Sequence, residues 1–276
     1  MAARTDLDRA PLGHATGYPD TYEAAQLFAV SRAPQRAALG LADTLPFTGI
    51  DLWTAYELTW LDSRGKPAIA IVTIEVPASS PSIVESKSMK LYLGSFAQSS
   101  FATAGAVVAT IERDLAAKTR GKVSVMLKDP IIFADERIAE LDGESLDTLS
   151  VDCSAYEVDL ATLSASGTKV EEALTTNLFR SVCPVTGQPD IASMRVAYRG
   201  AQIDRAGLLR YLVSYRRHPG FHEHCVERIF VDILSRCRCE QLTVYGRFTR
   251  RGGIDINPFR TNAAVATPLN VRTARQ

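Results

Sequence analysis

ESKSMKLYLGSF (85–96) and DRAGLLRYLVSY (204–215) are the two stretches whose comparison decides the fold. At an offset of 119 they set Tyr92 against Tyr211 and Ser95 against Ser214. The first places Met89, Tyr92, Leu93 and Phe96 at helical spacing and leaves Lys87 and Lys90 on another side. The match extends outward in both directions. Downstream, KVSVMLK (122–128) meets QLTVYGR (241–247) at the same offset, and Val123, Val125 and Leu127 alternate as in a strand. Upstream, RGKPAIA (64–70) meets TGQPDIA (186–192) at an offset of 122. Three matches in one order, at nearly one offset, point to a duplicated ββααβ unit.

The rest of the chain fits around these anchors. The segment from Trp53 to Leu61 and AIAIVTIEV (68–76) flank the turn DSRGKP, so they read as a two-stranded hairpin. A second helix is expected at about 101–118. FHEHCVERIFVDIL (221–234) is amphipathic, with Val226, Ile229, Phe230, Ile233 and Leu234 on one face. Pro11, Pro19, Pro34 and Pro46 mark residues 1–50 as an N-terminal arm, extended apart from a short helix at 22–29. The expected organisation is that arm, a first module at 51–130, a polar, turn-rich linker at 131–165 and a second module at 166–276. The fold class is α+β with antiparallel sheets.

The 31 basic and 31 acidic side chains cancel, which disfavours phosphate-backbone binding to nucleic acid as the main activity. Hydrophobic residues make up 46%, too many for a disordered chain. No apolar run approaches the roughly 18 residues that span a bilayer. MAARTDLDRAPLG lacks an apolar core and carries two aspartates, so a secretory signal is not expected. Five cysteines, few and odd in number, suit reduced thiols. The expectation is a cytoplasmic protein without a membrane partner.

The duplication is most informative where it fails. The first copy has Leu61 and Ala68 where the second has Cys183 and Asp190. The second has Asp204, Ala206 and Leu209 where the first has Glu85, Lys87 and Lys90. That is the pattern of one active site divided between two modules. A Cys183 thiolate is a strong nucleophile, and Asp190, across the expected turn, is placed to deliver a proton. On spacing alone, a buried cysteine and a turn aspartate are the favoured reading of the pair. His222 and Glu223 begin a helix whose dipole favours a carboxylate, or else form a capped surface turn. A metal site from His222 or His224 with Cys225, Cys237 and Cys239 is disfavoured, because C-x-C is not the usual ligand spacing. Lys87 and Lys90 are either a solvated face or a phosphate clamp with Ser86 and Ser88. In FTRRGGIDINPFR (248–260), Arg250 and Arg251 offer phosphate forks, and Gly252 and Gly253 allow close approach of a ligand. No G-x-G-x-x-G follows a strand, so a Rossmann cofactor site is not indicated.

Taken together and in this order, VESKSMKLYLGSF, SVCPVTGQPD, FHEHC and FTRRGGIDINPFR resemble the NADPH-dependent 7-cyano-7-deazaguanine reductases. These are nitrile reductases of queuosine biosynthesis, and the chain is similar to their long, two-module form from about residue 20 to 262. The resemblance implies the tunnelling fold, whose antiparallel sheets assemble into barrels across subunits, and hence a homodimer or higher homo-oligomer. It implies that Cys183 forms a covalent thioimide with the nitrile and that Asp190 is the general acid. Val84, Glu85, Ser86, His222 and Glu223 match positions that hold the deazapurine. Ser86, Lys87, Arg251 and Gly252 match positions that hold NADPH, two of which are consumed per turnover, with no metal. Met89 and Gly94 are mild variations on the motif. The competing classes are a zinc-dependent cyclohydrolase of related fold, a non-catalytic purine-binding protein and a thiol hydrolase.

Overall fold

The computed structural model describes residues 17–41 and 44–276. Residues 1–16 and 42–43 of the expected arm lie outside the described residues. Two compact units emerge. The first holds the described residues up to Gly40 with Asp51–Glu136 and Arg250–Asp255. The second holds those of Leu41–Ile50 with Arg137–Thr249 and Ile256–Gln276.

The first unit contains β1 (Ala29–Ser31), α1 (Ala33–Ala38), β2 (Thr48–Leu61), β3 (Pro67–Pro77), β4 (Ser82–Val84), α2 (Ser86–Gly94), α3 (Ala104–Thr119) and β5 (Ser124–Lys128). β3 lies between β5 and β2, and its pairing with β5 is antiparallel. The β2–β3 turn closes because Asp62 Oδ1 accepts from the backbone of Arg64 and Lys66, while Gly65 takes φ +78°. Ala70, Val72, Ile74 and Val76 alternate into the core, as do Val107, Ile111 and Leu115 along one stripe of α3. Thr103 caps α3, which is why the helix expected from about 101 starts at Ala104.

The second unit contains β6 (Glu144–Ser145), β7 (Ala165–Val182), β8 (Pro189–Ile203), α4 (Arg205–Ser214), α5 (His222–Cys237), β9 (Gln241–Phe248) and β10 (Ile254–Thr261). The strand order is β10-β9-β8-β7-β6. Ala192, Met194, Val196 and Tyr198 of β8 are buried, as are Val226, Ile229, Phe230 and Ile233 of α5. The stretch 137–164 contributes β6, which pairs parallel with β7, and the buried Leu146 and Leu163.

The aligned tyrosines and serines perform the same structural task in each unit. Tyr92 donates to Asp114 Oδ2 at 2.7 Å, and Tyr211 to Asp232 Oδ2 at 2.6 Å. Ser95 Oγ donates to Tyr92 O and accepts from Glu23 N; Ser214 Oγ donates to Tyr211 O and accepts from Asp159 N. Each tie joins two helices and a preceding segment, and a hydrogen bond to a charged group contributes about 1.5–3 kcal/mol. Burial pushes both phenols up, so they stay neutral donors. α3 and α5 also end alike, on the left-handed residues Arg120 and Arg238.

One expectation is corrected. Instead of a helix at 22–29 there is a single turn at Ala24–Gln26, and the chain then extends into β1. β1 pairs antiparallel with β4, from Ala29 opposite Val84 to Ser31 opposite Ser82. That long-range ladder overrides the local helical preference. Among the described residues no helix is long and apolar enough to cross a membrane.

Candidate active site

Cys183 follows directly on β7, in the turn that leads to β8. Its amide donates to Gln188 O at 2.8 Å, and its carbonyl accepts from Gly187 N at 3.0 Å. Gly187 has φ +69°, a conformation that favours glycine. On the far side of β7, Val182 N donates to His218 O and Val182 O accepts from Gly220 N. The strand end beside Cys183 is therefore held from two directions. Ser181 lies opposite Asp190 in the β7–β8 ladder. Because strand side chains alternate, Ser181, Asp190 and Cys183 fall on one face. Cys183 and Asp190 are each only 4% exposed.

α5 brings the next two residues to Asp190. His222 opens the helix, with Nε2 3.3 Å from Asp190 Oδ1. Its ring lies flat on Phe248, with centroids 3.8 Å apart and planes 5° off parallel. Glu223 is buried in the first turn of α5, where the helix dipole favours its carboxylate. Phe248 and the His218–Gly220 clamp were not singled out from the sequence. Phe248 sits opposite the inward-facing Ala192, so strand register would have placed it on the core side, but not against an imidazole. His218 itself is neutral at physiological pH, since burial lowers its pKa to about 4.

Cys225, Cys237 and Cys239 are also buried. Burial pushes Cys225 up to about 12, Cys239 to about 12 and Cys237 to about 11, so all three remain protonated at neutral pH. Among the described residues no group of three or more His, Cys, Asp and Glu side chains is placed to hold a metal ion.

The remaining singled-out residues gather in the first unit. Val84 is buried in β4, and Glu85 caps α2, its carboxylate accepting from Lys87 N at 2.5 Å and Ser88 N at 2.9 Å. Burial raises the Glu85 pKa, opposed by those two amides, then Lys90, then the Ser86 hydroxyl. Ser86 and Lys87 form the first turn of α2 and are part-exposed. Arg251 N donates to Ile254 O across a tight turn, where Gly252 and Gly253 have φ +57° and +73°. Two positive φ values mark a type I′ hairpin. Tyr56 braces it, its amide donating to Gly253 O, its hydroxyl donating to Asp255 Oδ2 and its ring carrying Arg250 at 5.1 Å. Lys90 lies against Gly252, with Cδ and Cε 3.2 Å from where a Cβ would stand. Cationic side chains around a turn with an unshielded backbone fit the phosphates of a dinucleotide such as NADPH.

Comparison with known proteins follows the same division. The family described as "Nitrile reductase, 7-cyano-7-deazaguanine-reductase N-term" matches residues 18–127, and "QueF-like protein" matches 189–266. NADPH-dependent 7-cyano-7-deazaguanine reductases of Burkholderia vietnamiensis and Burkholderia ambifaria are each 55% identical over 271 residues, covering 98% of this chain and 99% of theirs. The apo crystal structure of an archaeosine synthase QueF-Like covers 37% of this chain and 99% of that one at 17% identity, with a TM-score of 0.31, too low to bear on the fold. Identity above one half along nearly the whole length leaves one assignment: the chain belongs to the NADPH-dependent 7-cyano-7-deazaguanine reductase family.

Proposed function

We propose that the chain reduces the nitrile of 7-cyano-7-deazaguanine to 7-aminomethyl-7-deazaguanine through a thioimide on Cys183, within tRNA queuosine biosynthesis. It is an NADPH-dependent nitrile oxidoreductase, as its family membership establishes. The finer reading is supported above all by the shared face of the β7–β8 hairpin, on which Cys183 and Asp190 both fall, with His222 against the carboxyl group.

In this reading the Cys183 sulfur adds to the nitrile carbon while Asp190 gives its proton to the nitrogen, converting C≡N to a thioimide. NADPH supplies hydride, and two equivalents, one from each of two molecules, separate a nitrile from a primary amine. After the first reduction the sulfur leaves with its bonding pair and an imine remains for the second. Low exposure of Cys183 and Asp190 keeps out the water that would hydrolyse either species. Val84, Glu85 and Ser86 with His222 and Glu223 hold the deazapurine. The Glu223 carboxylate accepts from the N–H and amino group of its guanine-like edge, which would lose about 1–3 kcal/mol if left unpaired. Ser86, Lys87, Arg251 and Gly252 hold the cofactor. Thiol, carboxyl group and hydride complete the chemistry without a metal. The modules act as tandem ββααβ tunnelling-fold units whose sheets join into a barrel across a homodimer or higher homo-oligomer in the cytoplasm, with no nucleic-acid or membrane partner.

Intact-mass spectrometry after mixing the protein with 7-cyano-7-deazaguanine, without NADPH, tests the route. A gain of one whole substrate molecule is expected, and an unchanged mass would overturn it. Lys87→Ala should raise the Michaelis constant for NADPH roughly 10- to 100-fold, the loss of one charge-assisted hydrogen bond, while the adduct still forms. Glu223→Ala should do the converse, impairing adduct formation with little change in cofactor affinity. A Lys87→Ala variant that blocks the adduct but spares cofactor affinity would reverse these assignments.

A further inference from the structure

We propose that Gln276 is a positioning residue for the His222–Asp190 pair, acting through the backbone of Phe248; the proposal rests on the functional reading above. The β9–β10 ladder is registered from Thr243 opposite Thr261 to Tyr245 opposite Phe259. The next residue of β10 is Pro258, which has no N–H to continue it. Side chains serve Phe248 instead. Asn257 Oδ1 accepts from Phe248 N at 3.2 Å, and Gln276 Nε2 donates to Phe248 O at 2.9 Å. The same Gln276 amide donates to Asn257 Oδ1 at 2.8 Å, closing a small ring of hydrogen bonds around the Phe248 peptide groups.

Gln276 is only 4% exposed, and its orientation is fixed from the other end. Its Oε1 accepts from Arg247 Nε at 2.7 Å and from Thr273 N at 3.0 Å. Arg247, 1% exposed, is itself held by Tyr245 OH and Asn270 Oδ1. The amide therefore cannot turn over without taking the acceptor from Arg247 Nε and the side-chain donor from the Phe248 carbonyl. The ring it steadies is the one on which His222 lies flat, and His222 Nε2 faces Asp190. A shift of about 1 Å at a supporting residue can cost up to roughly a hundredfold in rate. Gln276 touches no reacting atom, so its contribution is geometric.

Gln276→Glu separates the two ends of the side chain. It keeps the acceptor for Arg247 and Thr273, preserving the local fold, but replaces the donor to Phe248 O and Asn257 with a second acceptor. The expected result is a protein that melts near the wild-type temperature, with His222 ring-proton NMR signals displaced from their position over the Phe248 face. Adduct formation at Cys183 should slow roughly tenfold or more, with the Michaelis constant for NADPH unchanged. His222→Gln identifies the signals. His222 signals that superimpose on wild type, or an unchanged adduct rate, would overturn the proposal. If Gln276→Glu does not fold, Gln276→Asn, with the amide one methylene short, carries the same two outcomes. The NMR signals are read in the resting protein without substrate. If wild type forms no adduct at all, the functional reading fails while the Phe248 clamp is still tested.

Discussion

Cys183→Ala should abolish nitrile reduction, taking turnover down by roughly 10⁴-fold or more, while the protein still folds and still binds the deazapurine. Without the sulfur there is no thioimide, and a nitrile carbon by itself is a poor hydride acceptor. The fold should tolerate the change because the Cys183 contacts that shape the turn are backbone ones, to Gln188 O and Gly187 N. Binding should persist through Glu223 and His222. Intact mass should show one substrate molecule on the wild type and none on the variant, and peptide mapping should place it on Cys183. An adduct on Cys225, Cys237 or Cys239 would contradict both the mechanism and the burial that holds those thiols protonated. An adduct on the half-buried Cys153, or none at all, would equally remove the basis of the mechanism.

Asp190→Asn should leave the shape of the site intact and lose its proton donor. Asparagine retains an oxygen toward His222 and a place opposite Ser181 in the ladder. Positioned general acids supply roughly 10²–10⁴-fold in rate, so adduct formation and turnover should both fall within that range. Stopped-flow measurement of the adduct, set beside steady-state turnover, separates this from a substrate-binding defect. Wild-type rates in the asparagine variant would make Asp190 a turn residue and leave the proton to another group.

The stretches that resolve cleanly from the sequence are those governed by local rules. DSRGKP and CPVTGQP form turns because Gly65 and Gly187 take positive φ, and the strands beside them alternate with a period of two. That period puts Asp190 on the face of the hairpin that carries Cys183, so their shared face is legible in the residues themselves. The matching of Tyr92 with Tyr211 and Ser95 with Ser214 is also legible, though not its reason. Those residues tie helices together and take no part in the chemistry assigned here. The helix expected at 22–29 fails where its last two residues, Phe28 and Ala29, are tied to Glu85, Ser88 and Val84, far along the chain.

The sequence by itself determined the two aligned stretches that carry Tyr92 and Tyr211 and the hairpin that carries Cys183 and Asp190. Each follows from residue type within a few positions, where backbone geometry leaves few choices. Only the tertiary structure decided that His222 lies on Phe248 and that Gln276 holds the Phe248 carbonyl. These contacts join segments whose separation along the chain has no period. They are set by which buried donors and acceptors must find partners once the core has closed, and that is a property of the packed chain rather than of any stretch of it.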